Sequence, residues 1–422
     1  MKYSNKENYF DAIIVGSGTC GATIAKELSK KHKNVLILER GGNEPLKESL
    51  MGYAKISNEV RVTDKLKDMR AFTTGGTTAM YLAVADLPPI KTFKNLGIDL
   101  TEDLEQARKE IPIGEISDDL IGDQAKKLGE SAKDLGYDWK KKLMLVDQSK
   151  FNSKNFYEVK WKARTFIESA LRDGATLINQ AIVSKVLHDN KKAIGVEYTV
   201  GKKKEVLKAY GEKIILAAGS LATPIILKDS GIKNVVSHGF YINPSIGLIG
   251  SIPGLASAEN FCGCMGAKLD DEIELMDANF HRFLFNVGML VSAKPLRIAS
   301  YPKHVGITVK VKEPVGGELT KEGKYSKKLT EEDHRKLLKG IDAANEVLKN
   351  AGARKIFKTG LISGGALGTI KIKEHIDEKL QTEYEGLYVC DGSILPESDR
   401  VTPTLTLVCL AKYLARHLAA SL

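Results

Sequence analysis

Three separate stretches of the chain share one pattern. A short run of aliphatic and β-branched residues stops at a glycine or an acid, then hands over to helical spacing. In the first, Tyr9-Phe10-Asp11-Ala12-Ile13-Ile14-Val15 is followed by Gly16 and a helical pattern through Lys30, with Ala22, Ile24, Ala25 and Leu28 on its apolar side. A second apolar run, Val35 to Leu38, ends in Glu39. The next stretch opens with a helix over Ala163 to Leu171. Strand-like segments follow at Thr176 to Asn179, Ser184 to Leu187 and Ala193 to Tyr198, and then the run Lys213 to Gly219. The third, Leu387-Tyr388-Val389-Cys390-Asp391-Gly392-Ser393, leads to a terminal helix over Leu405 to Leu422, broken by Lys412, Arg416 and His417. Continuous apolar strands alternating with amphipathic helices predict a parallel sheet covered on both faces, the α/β class.

Composition narrows the picture. With 43% hydrophobic and 27% charged residues the chain is globular, which excludes disordered and collagen-like classes. At ~100–200 residues per domain, 422 residues suit two or three domains or one large domain with insertions. Lys and Arg total 63 against 53 Asp and Glu. The basic runs, Lys140-Lys141-Lys142 and Lys202-Lys203-Lys204, have no interleaved aromatics, so a lysine-rich surface is expected rather than a nucleic-acid partner. Five scattered cysteines suit a reducing compartment, and Cys262-Gly263-Cys264 lacks a second pair at ligand spacing, so no metal is expected. The first apolar run is too short for a signal peptide, and no apolar stretch is long enough to span a membrane, so cytoplasm is the expected address.

The chemistry starts at Gly16-Ser17-Gly18-Thr19-Cys20-Gly21, a Gly-x-Gly-x-x-Gly between strand and helix, with Glu39 closing the next strand twenty-one residues after Gly18. The first glycine permits a tight turn, the second lets backbone approach a pyrophosphate, and the third lets helix and strand pack closely. The helix N-terminus offers free N–H groups to phosphate, and Glu39 suits the two hydroxyls of a ribose. This pattern predicts a dinucleotide site. A strand ending in Ala217-Ala218-Gly219 suits a chain passing close to the adenosine half, with Val183 flanking the adenine. Asp391 sits where a strand's carboxyl end meets ligand. Thr402 is expected as N-cap and Pro403 in the first turn of the last helix, whose positive end would stabilise negative charge on a ligand.

In order and spacing, these segments resemble the glucose–methanol–choline (GMC) family of FAD oxidoreductases. Four stretches carry the resemblance: Gly16 to Glu39; Gly75-Gly76-Thr77-Thr78-Ala79; Ile214 to Leu227; and Val389 to Pro396 with Thr402-Pro403-Thr404-Leu405-Thr406. They cover roughly a third of the chain. The resemblance implies a glutathione-reductase-like, Rossmann-type FAD domain from residues 1–90, 161–232 and 376–422. An α+β substrate domain on a mainly antiparallel sheet would come from residues 91–160 and 233–375. It implies that FAD is held by Gly16, Gly18, Thr19, Cys20, Gly21, Glu39, Arg40, Gly75, Gly76, Thr77, Val183, Ala217, Ala218, Gly219, Asp391, Gly392, Thr402, Pro403 and Thr404. No His lies between Gly75 and Ala85, so the FAD is expected to be non-covalent.

The catalytic pattern departs from the family. The His of His-x-x-Gly-Thr is replaced in Gly365-Ala366-Leu367-Gly368-Thr369, the polar partner before the last helix is Thr402, and the Asn of the Gly-Gly motif is Tyr81. A positioned base is worth ~10²–10⁴-fold in rate, so another group must substitute if alcohol is oxidised. Tyr81 and Thr402 are the candidates by position. His281, His304 and His375, and the pair Asp399 and Arg400, are further candidates that also suit purely structural roles. Met265, Phe280, Phe283, Phe285 and Met289 suit an apolar pocket lining or plain core. The reaction expected is hydride transfer between a CH–OH group of a small or apolar molecule and the flavin. A C=C reductase or desaturase, or an FAD-binding subunit of a complex that passes electrons to a partner or is non-catalytic, stays open, as does a homo-oligomer.

Overall fold

The computed structural model describes residues 9–63, 66–152, 154–202, 205–232, 239–256, 261–320, 324–396 and 402–422. Lys203, Lys204, Asp399, Arg400 and Val401 lie outside them. Two large sheets organise the molecule.

The first sheet has a parallel core. Strand β1 (Tyr9–Val15) lies between β2 (Val35–Leu38) and β3 (Leu207–Leu216), and β3 pairs in parallel with β4 (Leu387–Val389). Thr176–Ile178 adds a further parallel strand beside β2, while Ala181–Asp189 and Lys192–Val200 form an antiparallel meander leading into β3. Ala12 to Ile14 and Val35 to Leu38 are fully buried, as expected of strands covered on both faces. Helix α1 (Thr19–Ser29) packs against α2 (Thr404–Ser421) and against the helix Arg164–Arg172. Lys412 fastens this layer: its ammonium, buried under α2, lies 2.5 Å from Glu27 and 2.9 Å from Glu110. Glu110 ends the helix Thr101–Glu110, which therefore packs on the first sheet's helical layer although its sequence position suggested the inserted part.

The second sheet is antiparallel, in the order Arg354–Ile362, Ser245–Ser251, His304–Val311, Ile273–Asp277, Met265–Lys268, Lys140–Lys141. The long helix Glu331–Asn350 covers one face. Its N-terminus carries a reciprocal cap, Thr330 with Asp333, and Leu337, Ile341, Ala344, Val347 and Leu348 are buried at helical spacing. A mixed, largely parallel sheet with a mainly antiparallel second sheet is thus the architecture.

Candidate functional site

Register builds the site. Val15 pairs with both Leu38 and Leu216, and Leu216 with Val389. These four parallel strands therefore end at one level, and the residues that follow them, Gly16, Glu39, Ala217 and Cys390, are brought to one edge, where ligands sit in open α/β sheets.

Backbone packing at that edge is tight. A Cβ on Gly16 would lie 2.4 Å from the Ala217 carbonyl oxygen, and one on Gly21 only 1.9 Å from the Gly16 carbonyl oxygen. These two glycines let strand, turn and helix close up. Gly18 and Gly219 differ, since a Cβ at either would meet nothing within 4 Å. Open space there, beside a helix end, is the cradle that a phosphate needs. Helix α1 starts at Gly18 with no side-chain cap and no acid in its first turn, so its first N–H groups are unclaimed by side chains. The turn at Gly75-Gly76 closes over it. Gly75 N–H donates to Ser17 Oγ at 3.2 Å, and a Cβ on Gly76 would sit 2.9 Å from Gly18 Cα.

Two buried carboxylates lace the loops. Glu39 accepts from Ser17 N (2.9 Å), Ser17 Oγ (2.5 Å) and Gly41 N (2.6 Å). Burial pushes its carboxyl up, against the pull of these three hydrogen bonds. Asp391 accepts from Gly219 N (2.9 Å), Thr223 Oγ1 (2.5 Å) and Ser393 N (2.8 Å). Burial raises it too. Asp391 thus ties the β3 and β4 loops together, a holding role that its place in the sequence did not reveal. Arg40 lies over the Phe72 ring at 4.5 Å, and Thr77 Oγ1 accepts from Ala71 N at 3.4 Å. Ala217 N donates to the Val15 carbonyl at 2.8 Å, Val183 is buried in the meander, and Gly392 packs on Ser220 and Leu367.

The start of α2 corrects one expectation. Pro403 is the N-cap and the helix begins at Thr404, with no side-chain cap and no acid in its first turn. Thr402 lies one residue before the cap, with its backbone N–H given to Asp86 Oδ2 at 2.7 Å and its side chain also bonded to Asp86. The free positive end expected of this helix is present, with Pro403 in place of the hydroxyl.

Asp86 leads to a charged wall. Its other oxygen is 3.7 Å from Lys142, Lys142 pairs closely with Glu274, and Lys310 lies 3.7 Å from Glu274. Burial opposes ionisation of Asp86, but Lys142 and the Thr402 hydrogen bonds outweigh it and hold the carboxyl below its usual range. So Lys142, read in the sequence as part of a surface run, points inward.

A second ionisable group lies beside the Gly75–Tyr81 turn. His281 Nε2 is 2.7 Å from Glu48 Oε1, at ion-pair distance though not aligned as a hydrogen bond. Lys160 is 3.9 Å from the same oxygen, and Tyr53 OH donates to it at 3.3 Å. Burial pushes Glu48 up, yet His281 and Lys160 hold it below its usual range. Burial pushes Lys160 down. Burial, with Lys160 adding to it, brings Lys162 down to about 8. Three contacts fix the chain segment that carries Lys160 and Lys162 to the turn: Tyr157 OH donates to Ala79 O (2.7 Å), Ala163 N to Thr78 Oγ1 (3.0 Å), and Tyr81 OH to Trp161 O. The phenol of Tyr81 is therefore engaged, and burial raises its pKa.

Of the three histidines, His304 and His375 have structural partners. His304 Nδ1 meets the Tyr301 carbonyl at 2.7 Å, with burial pushing the ring down, and His375 Nδ1 accepts from Lys371 N at 2.9 Å. Phe285 and Met289 are core, and Phe283 stands 5.2 Å from Tyr53, ring to ring. Cys262-Gly263-Cys264 wraps the buried Asp277, which accepts from Gly263 N and Met265 N, and burial raises both thiols. Glu48, Lys160, Lys162, Asp86 and Glu274 carried no local signal, since each belongs to a different segment or to an ordinary-looking charge pattern.

Residues 97–251 match the family model described as GMC oxidoreductase. The protein MJ1450 of Methanocaldococcus jannaschii is 24% identical over 97% of this chain and 100% of its own length. A long-chain-alcohol oxidase of Arabidopsis thaliana is 22% identical over 97% of this chain and 66% of its own. Among solved structures, pyridoxine 4-oxidase from Mesorbium loti superposes with a TM-score of 0.77 at 14% identity, covering 97% of this chain and 99% of that one. No helix among the described residues is long and apolar enough to cross a membrane. The open glycine cradle and uncapped helix ends fit FAD, and over residues 97–251 and in its fold the chain is similar to the GMC family of FAD-dependent oxidoreductases.

Proposed function

We propose that the chain oxidises a CH–OH group, with His281 taking the hydroxyl proton in place of the family's usual histidine. The observation that carries this reading is the group of half-buried Glu48 with buried His281 and Lys160 beside the Gly75–Tyr81 turn, in a chain with glycine at position 365. FAD, when bound, supplies the hydride acceptor.

The chain's own residues do the rest. The Glu48 carboxylate, 2.7 Å from Nε2, offsets the charge that the imidazole gains on taking a proton. The buried Lys160 ammonium favours the alkoxide that forms as the proton leaves. Gly16, Gly18, Gly21 and the N–H groups of α1 would hold the pyrophosphate, with Glu39 and Arg40 near the ribose. Gly75, Gly76, Ala217 to Gly219 and the start of α2 would enclose the rest. The uncapped N–H groups of α2 stabilise negative charge near them. We take the FAD to be non-covalent, and the substrate to be a small or apolar alcohol facing Phe283 and Phe280.

Reduction of a C=C bond draws less support, because the phenol that would donate the proton, Tyr81, is committed to the Trp161 carbonyl. Anaerobic mixing with a panel of primary and secondary alcohols tests the reading. Bleaching of the visible flavin band is expected, slowed ~10²–10⁴-fold in His281→Ala. If no alcohol bleaches it, while an enone reoxidises the dithionite-reduced chain faster than buffer does, the reductase reading replaces it.

A further inference from the structure

One surface of the second sheet is unlike the rest of the molecule. The helix Arg282–Val291 and the 3-10 segment Pro295–Lys303 form a hairpin, turned at Ser292–Lys294. The turn is closed by Ala293 N to Leu290 O (3.0 Å) and Lys294 N to Met289 O (2.8 Å), with Ala293 left-handed at φ 54°. The underside is anchored: Phe285, Met289 and Tyr301 are buried with Ile249 of the sheet. The tip is not. Leu290 is 54% exposed and Leu296 is 94% exposed, on either side of the turn.

Charge is equally lopsided. Residues 278–312 contain no Asp or Glu, and the hairpin carries Arg282, Lys294, Arg297 and Lys303. The neighbouring edge strand adds Arg354, Lys355 and Lys358, within residues 347–373, which also lack an acid. The two elements touch, with Arg297 donating to the Lys355 carbonyl at 2.7 Å. Lys294 and Arg297 lie over the Phe357 ring at 5.1 and 4.6 Å. Leaving Arg282 aside, the two touching elements carry six cations (Lys294, Arg297, Lys303, Arg354, Lys355 and Lys358) and no acid within either, a charge that an anionic counterpart would complement.

We infer that this hairpin docks the protein on an anionic lipid surface, with Leu290 and Leu296 entering the acyl boundary and the surrounding cations meeting headgroup phosphates. Protruding leucines ringed by Lys and Arg match the chemistry of an interfacial segment. A single-stranded nucleic acid would instead need exposed rings on which bases stack. Here Phe285 and Tyr301 point inward and Phe357 is covered by cations. A second copy of the chain fits poorly, because a two-fold contact would set two such cationic faces against each other.

Flotation of the purified full chain with vesicles tests the inference. It should float with vesicles of equal parts phosphatidylcholine and phosphatidylglycerol, release at high salt, and stay behind with phosphatidylcholine alone. Leu296→Asp should weaken binding at least tenfold, and Lys355→Glu, a change of two charges, about twenty-fivefold at ~fivefold per charge. Both should keep the wild-type melting temperature, because neither side chain belongs to the buried cluster. Leu338→Asp, an exposed leucine on the helix Glu331–Asn350, should bind as wild type does. Failure to float with the anionic vesicles, equal binding to both compositions, or indifference to Leu296→Asp overturns the inference. So does sedimentation as a dimer that Leu296→Asp dissociates, which would make a second copy the occupant.

Discussion

The strand edge proposed here for the dinucleotide and the group that surrounds His281 are built from different materials. At the first, backbone does the work. Strands ending in register set Gly16, Ala217 and Cys390 side by side, and two helix starts have no side-chain cap. At the second, side chains from distant segments meet. Glu48 comes from the loop before one short helix, His281 from the start of another, and Lys160 from a loop between them in sequence. A backbone site is fixed by local pattern and tolerates changes in charge. A side-chain site depends on tertiary packing and on the pKa values that burial produces.

The largest break in that comparison should come from Gly21→Val. Its Cβ would stand 1.9 Å from the Gly16 carbonyl oxygen, so α1 cannot keep its place on β1. We expect a protein that purifies without yellow colour and melts several degrees lower, read from the visible spectrum and thermal unfolding. His281→Ala should do the reverse, losing ~10²–10⁴-fold in turnover with flavin content unchanged, measured by anaerobic reduction.

Lys162 sharpens the contrast through pH. Its folded pKa is lowered to about 8, below the ordinary lysine value of 10.5. Between these values the unfolded chain holds the extra proton, so stability rises with pH across that window and this contribution is flat below about 8. Denaturant unfolding should show wild type gaining about 2 kcal/mol between pH 8 and 10 relative to Lys162→Met. The smallest effect is expected of Asp86→Asn, which keeps an acceptor for Thr402 N–H but drops the charge facing Lys142. It should cost about 0.5–1 kcal/mol and leave flavin content unchanged.

The same contrast explains what the sequence disclosed. Gly16 to Gly21, Glu39 and the Ala217-Ala218-Gly219 turn were legible because a backbone site needs particular residue types at fixed spacing after a strand. The antiparallel second sheet was legible through family resemblance rather than from pattern. Thr402 was misplaced as an N-cap because its residue type suits capping, and nothing nearby in sequence announced that Asp86, 316 positions away, takes its N–H. Asp391 also accepts from neighbouring loops with both its oxygens, a structural role that its place at the strand end did not announce. His281 stood among three indistinguishable histidines until Glu48 and Lys160 appeared beside it. Chemistry assembled over such distances leaves no periodic trace.

The most direct test titrates FAD into the cofactor-stripped chain and into His281→Ala, following the flavin band and its quenched fluorescence. The account predicts one FAD per chain in both, with dissociation constants within about threefold, less than 1 kcal/mol apart. A folded wild-type chain that stays colourless, or a His281→Ala chain that loses its FAD, would contradict it.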